Sequence, residues 1–233
     1  MDYAKKYYLY AILLFPLLFS GCLRTYYPMH YAISPTPMTF ETEHSKDRIS
    51  KYVGAELTTS SGYHKDETIL LASGMFSTAF TTDHSNINLE VFGFYGNYKV
   101  NGVSTKFNGD KTAYGIGGNF KLAFNFKTET SKLGIGFNLG VKNEFGKYAI
   151  FRKEASETGV ISNGEKTLTP NFSIFPFLAI DLSKNAILSL QVNIGIPEYI
   201  TPSLMLNTSN ISGGLVFLQR QKRRLNLLIT SLF

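Results

Sequence analysis

Lys111–Lys127 reads KTAYGIGGNFKLAFNFK. Every second residue belongs to one set: Tyr114, Ile116, Gly118, Phe120, Leu122, Phe124 and Phe126. Lys111, Ala113, Gly115, Gly117, Asn119, Lys121, Ala123 and Asn125 make up the other. A period of two puts the sets on opposite faces of a β-strand. The stretch exceeds the roughly 9–11 residues that a tilted membrane-spanning strand needs. The next stretch repeats the pattern, with Leu133, Ile135, Phe137, Leu139 and Val141 against Lys132, Gly134, Gly136, Asn138, Gly140, Lys142 and Glu144. A third sets Ala186, Leu188, Leu190, Val192, Ile194 and Ile196 against Asn185, Ser189, Gln191, Asn193 and Gly195, with Ile187 as an apolar intruder on the polar face.

The polar face decides between two architectures. In a soluble sandwich or lipocalin-like cup the apolar face points inward and the outer face is charged. In a membrane barrel the apolar face meets lipid and the inner face is small and polar. Glycine weakens a solvent-facing strand and offers nothing in return, whereas a narrow lumen takes small residues without overpacking. The expectation is an all-β fold: an antiparallel up-and-down meander barrel across a membrane, over residues 47–233. It requires Phe120, Phe124, Phe137 and Leu190 to point outward.

Further strands are expected at Ile49–Thr59, Thr68–Thr81, Ile87–Lys99, Leu168–Leu182, Ile211–Gln219 and Arg224–Phe233. Phe92 and Phe94 fall on the otherwise polar face of their strand. That makes nine candidates, and a bacterial barrel needs an even number. Eight is preferred and ten is the alternative, the extra strand lying near Pro37–Glu43 or arising from a break of Leu133–Glu154 at Gly146. Short connections (82–86, 128–131, 183–184, 220–223) interleave with longer ones (60–67, 101–110, 155–166, 197–209), as periplasmic turns and outer loops do. No 3.6-residue period runs over ten residues beyond the N-terminus.

Composition agrees. Charged residues are 17% of the chain against a usual share of roughly 25%. Thirty-three aromatics, counted as 14 Tyr and 19 Phe, argue against disorder, and a single Cys against a disulfide scaffold. A helical membrane protein needs apolar runs of about 20 residues. Only the N-terminus comes near that.

Met1–Cys22 reads MDYAKKYYLYAILLFPLLFSGC. Lys5 and Lys6 form a basic start, Tyr8–Phe19 an apolar stretch too short to span a bilayer, and Ser20 and Gly21 a small-residue cleavage site. Residues 1–21 are therefore expected to be a signal peptide. Leu18-Phe19-Ser20-Gly21-Cys22 resembles a bacterial lipobox, with Phe19 where Leu is usual. The resemblance implies lipidation of Cys22 by the lipoprotein-processing enzymes. With no acidic residue among Leu23, Arg24 and Thr25, it implies an outer-membrane destination. Residues 22–46 carry Pro28, Pro35 and Pro37 and are read as an extended tether from lipid to barrel. The terminal strand, with Leu225, Leu227 and Ile229 alternating toward Phe233, looks like the signal read by the outer-membrane assembly machinery.

Lipobox, tether, the turn Thr82-Asp83-His84 and the terminal strand together resemble the small outer-membrane β-barrel lipoproteins of Gram-negative bacteria. The resemblance implies a cell-envelope barrel without an assigned activity. The expected role is structural or interactive, with an unknown partner at the outer loops. One alternative is a periplasmic lipocalin-like lipoprotein binding an apolar ligand. A second is a lipid-modifying barrel enzyme built on Ser60, Ser61 and His64.

No pattern points to a catalytic centre, a cofactor or a metal. His30, His44, His64 and His84 lack ligand spacing. Gly115-Ile116-Gly117-Gly118 sits mid-strand, where no helix opens to cradle a phosphate. Arg220, Lys222, Arg223 and Arg224 form a basic cluster suited to anionic headgroups. The compartment excludes nucleic acid as a partner, leaving membrane lipid. Glu56, Glu90, Lys121, Lys142 and Glu144 fall on lumen faces. They are expected to form a buried ion-pair network that plugs the barrel, since buried charges need partners.

Overall fold

The computed structural model describes residues 24–33, 36–40, 49–82, 84–162, 164, 166–196, 200–218 and 224–232. Cys22, the signal-peptide residues, His44 and most of the basic cluster (Arg220, Lys222, Arg223) lie outside them. Among the described residues, ten strands close into one antiparallel barrel of nearest neighbours. They are β1 (Ile49–Ser61), β2 (Thr68–Thr81), β3 (Ser85–Val100), β4 (Gly109–Lys127), β5 (Ser131–Phe145), β6 (Leu168–Ser183), β7 (Ala186–Ile196), β8 (Ile200–Thr208), β9 (Ile211–Leu218) and β10 (Arg224–Leu232). Closure is made by β10 on β1, with Leu232 opposite Tyr52 and Leu225 opposite Thr59.

Phe120, Phe124, Phe137 and Leu190 are 40%, 48%, 38% and 47% exposed, all on the outside. Their alternates Asn119, Lys121, Ala123, Asn125, Asn138, Ser189 and Gln191 are buried inside. The pattern is inverted relative to a soluble domain: polar in, apolar out, as lipid demands.

The preferred count of eight is corrected to ten. The unseen strand is β8, inside the stretch 197–209 that reads as a loop, and not in the tether or at Gly146. Pro197 and Pro202 hide it, since proline removes a ladder donor. Pro202 pairs with Val192 of β7, but pairing with β9 starts one residue later, at Ser203 opposite Val216. Pro176 is tolerated similarly, where the β6–β7 ladder is interrupted between Ile174 and Phe177.

The extra strand also moves the connections. Connections of two or three residues join β2–β3, β4–β5, β6–β7 and β8–β9 at one rim; the opposite rim carries the longer ones together with the three-residue 197–199, and there β9 and β10 meet, with Leu218 facing Arg224. That corrects the placement of 220–223 among the short turns. Three short turns share one device. The Oγ1 of Thr82, Thr128 and Thr208 accepts the backbone N–H of Ser85, Ser131 and Ile211 at 3.0, 3.0 and 3.1 Å.

The lumen glycines have a specific cause. Gly115 and Gly117 lie directly across from Phe94 and Phe92, and Gly134 and Gly136 from Phe177 and Phe175. Each phenyl ring lies where the Cβ of its partner would stand. Aromatic and glycine thus share one layer of lumen, a cross-strand pairing that shields the glycine backbone. Gly136→Val places a branched side chain into the Phe175 ring, and overpacking of this kind costs about 1–3 kcal/mol. The folded, unboiled band on a gel should then convert to the unfolded one at a lower temperature than for the native chain. Unchanged conversion would mean the ring is free to move aside.

Between β5 and β6 stands an α-helix, α1 (Lys147–Glu157), that no sequence period announced. Gly146, with φ 101°, turns the chain out of β5 into it. Tyr148, Ala149, Phe151, Arg152 and Ala155 are its buried residues, all but Ala149 spaced i, i+3, i+4 and i+7 along one face. Arg152, a charged residue, breaks the apolar stripe and masks the period.

Candidate functional site

The lumen is the site, and it is occupied by the chain itself. The described part of the stretch 22–46, read as a spacer, lies within the barrel. Arg24–Thr25 pairs in parallel with Ile161–Ser162, beyond α1. Arg24 also donates to the Asn101 carbonyl at 2.7 Å, in the loop between β3 and β4. Tyr26, Met29, His30, Ala32 and Ile33 follow, all buried. Met29–Ala32 forms a single 3₁₀ turn. Thr36 then reaches the Glu90 carboxylate (3.2 Å), and the Met38 amide donates to the Gln191 side chain (3.0 Å). Met38 and Phe40 close an apolar cluster with Ala123, Phe175, Phe177, Ala179 and Ile187. Ile187, the intruder on a polar face, is there to meet them.

Three carboxylates organise the interior. Glu67 accepts four hydrogen bonds: from Tyr26 Oη (2.5 Å), Tyr98 Oη (2.6 Å) and the amides of His64 (3.0 Å) and Asn101 (3.1 Å). Hydrogen bonds to an ionised acceptor are roughly twice as strong as neutral ones. Burial, then the Glu67 hydrogen bond, pushes the Tyr26 phenol above its ordinary range. Burial does the same for Tyr148 on α1, with the neighbouring Tyr98 second. Tyr148 stacks on Tyr98 at 4.6 Å and donates to the Tyr27 carbonyl at 3.0 Å.

Glu144 pairs with Arg152 of α1 at 2.7 Å, both side chains fully buried, and accepts the Met29 amide. Arg152 also donates to the carbonyls of Gly164 and Lys166 at 3.1 and 3.0 Å. The guanidinium thereby ties α1, the loop beyond it and a barrel strand together. Glu90 pairs with Lys121 at 2.9 Å, both side chains 1% exposed, and accepts from Asn119 at 2.6 Å.

Of the five charges expected in the lumen, all are buried. Glu90 and Lys121 meet each other. Glu144 meets Arg152, which the sequence reading missed. Lys142 donates to the carbonyls of His30 and Ile33 at 3.5 and 3.3 Å and lies over the Phe92 ring. Glu56 accepts from Thr58 at 3.3 Å. Glu56, Glu90 and Lys142 line one small pocket with Thr36, Asn119 and Phe92. The charges therefore hold the inserted segment to the wall as much as they hold one another.

Ser60 and Ser61, expected in a loop, are the last residues of β1, and His64 alone of the three lies in the connection at the Glu67 hub. Glu67 meets His64 at its backbone amide, and His64 Nε2 is buried without a partner. Its ring packs on Tyr26 at 4.8 Å. The described residues contain no cluster of three metal-ligating side chains.

No family model matches the chain, and no curated protein matches it. Among solved structures, an outer membrane channel from Pseudomonas putida F1 is similar at 8% identity, TM-score 0.45, covering 86% of this chain and 100% of that one. Neisserial surface protein A is similar at 12% identity, TM-score 0.33, covering 79% and 94%. The toluene transporter TbuX of Ralstonia pickettii is similar at 10% identity, TM-score 0.33, covering 90% and 98%.

Proposed function

We propose that the protein is a lipid-anchored barrel of the bacterial outer membrane, lipidated at the Cys22 thiol and then cleaved before it, with loss of residues 1–21. It serves a structural or interaction role through its long-loop rim, and it does not conduct as described here. The observation that supports this best is the occupied lumen. Residues 24–40 run inside the barrel, and α1 seats Arg152 on Glu144 beside them. A polar, filled lumen also argues against a lipocalin-like cup, whose ligand site is an open apolar cavity.

Purified native chain in planar bilayers should give no large stable channels. Persistent ohmic currents would overturn the closed reading. The membrane reading has its own test. Phe137 sits midway along β5 and faces outward. Phe137→Lys places a charge near the bilayer midplane, where Lys costs roughly 2–4 kcal/mol. Folding into liposomes should fall off sharply relative to Asn138→Ser on the lumen side. An equal or smaller effect at Phe137 would contradict a lipid-facing surface.

A further inference from the structure

We infer that the N-terminal end of the mature chain is carried through the barrel's own lumen to the long-loop rim, so that the Cys22 anchor enters the outer leaflet. This rests on the lipid-anchor and outer-membrane readings proposed above. A spacer from lipid to barrel would be expected to start at the rim where β1 begins. The contacts of residues 24–40 run the other way.

Wall contacts along the segment begin at the long-loop rim and end in the middle of the wall. Arg24 and Tyr26 touch Asn101 and Glu67, both in connections of the long-loop rim. Met29 touches Glu144, next to the end of β5 at that rim. Thr36 touches Glu90, the sixth residue of β3 counted from the opposite rim. Met38 donates to Gln191, the sixth residue of β7 from that same rim, and Phe40 packs on Phe177 at 4.7 Å, the seventh residue of β6 from it. The chain then re-enters the wall at Ile49, the start of β1, where the short turns lie. The described residues of 24–40 therefore descend from the long-loop rim into the middle of the barrel, toward the rim where β1 begins.

Distance then constrains the anchor. Fully extended chain spans at most about 3.6 Å per residue, so Cys22 lies within roughly 7 Å of Arg24. A strand of 14 residues such as β2, rising about 3.3 Å per residue and tilted about 40°, stands roughly 35 Å tall. Two residues do not bridge that height. The acyl chains therefore belong to the leaflet beside the long loops, which is the outer one when short turns face the periplasm. The partner is a lipid surface on the outside of the cell. The Glu67 hub and the strand pair at Ile161–Ser162 fasten the exit point.

The test places one epitope at three positions of the full chain in cells. One lies between Leu23 and Arg24, one between Val103 and Ser104, and one after Lys184. Antibody is applied to intact and to permeabilised cells. The N-terminal epitope should behave as the 103–104 epitope does, detected on intact cells, while the one after Lys184 needs permeabilisation. An N-terminal epitope that follows the Lys184 one overturns the route.

A smaller probe guards against an epitope that unseats the segment. In a Cys22→Ser background whose residues 1–21 are replaced by a signal peptide cleaved without lipidation, Leu23→Cys should react with an impermeant maleimide on intact cells, and failure to react while Ser104→Cys does react overturns the route. Incorporation of a palmitate analogue, lost in Cys22→Ser, reports the anchor separately. Its absence from the native chain counts against the lipid-anchor reading alone, and the epitopes still decide the route.

Discussion

Removing residues 24–40 should turn a silent barrel into a conducting one. The segment supplies Tyr26, Met29, His30, Ala32, Ile33, Met38 and Phe40 to the interior, all buried. Without it, the lumen wall mixes Ser, Thr, Asn and Gln and the charges Glu56, Glu90, Lys121 and Lys142 with rings and apolar side chains such as Phe92, Phe175 and Ile187, and the volume that the segment filled is open to water. The ten barrel strands and their ladders stay intact, because no barrel residue is deleted; only the short pairing of Arg24–Thr25 with Ile161–Ser162 is lost. Stable single-channel steps are expected in planar bilayers, absent from the native chain under the same conditions. Heat-modifiable migration first confirms that the deletion variant folds. A milder variant, Tyr26→Ala with Met29→Ala and Phe40→Ala, removes the segment's anchors and leaves its length. It should open intermittently. Silence from both folded variants would mean that strand side chains, and not the segment, close the lumen.

The second large effect is expected at Arg152. Arg152→Met strands Glu144 with no cation beside it and removes the donors to the Gly164 and Lys166 carbonyls. Breaking a fully buried pair by taking one partner costs about 3–5 kcal/mol, because the survivor stays desolvated. The folded band should convert at a markedly lower temperature. Adding Glu144→Met should restore much of the loss, since a buried pair replaced by apolar groups is often neutral. Lys153→Ala is the control. Its pair with Glu157 is 3.9 Å long and solvent-exposed, and such pairs are worth about 0–1 kcal/mol. Equal effects of Arg152→Met and Lys153→Ala would show that α1 is not seated by its guanidinium.

The period-two reading of Lys111–Lys127 carried the wall of the barrel because side-chain direction in a strand is a local property. Its two faces are the observed outside and inside, residue by residue. The anomalies were legible too, though not their meaning. Ile187, Phe92 and Phe94 break a polar face because they meet the inserted segment or a facing glycine, and a single strand's pattern says nothing about what crosses the lumen. β8 was lost to Pro197 and Pro202, and Pro202 is tolerated because pairing with β9 begins one residue later. The segment 24–40 is irregular, as its prolines suggest. Whether such a chain runs outside a barrel or through it is set by tertiary contacts such as Thr36 to Glu90, far apart in sequence. Arg152 escaped notice because a charged residue within an apolar helical stripe reads as solvent-facing until its carboxylate is known.

The most direct test of a lumen filled by its own N-terminal segment is the reactivity of one thiol. Gln191 faces inward, is buried, and accepts the Met38 amide. In a Cys22→Ser background, Gln191→Cys should resist a small water-soluble thiol reagent in the folded barrel. It should react readily once residues 24–40 are removed. Rapid labelling with the segment in place would contradict the account.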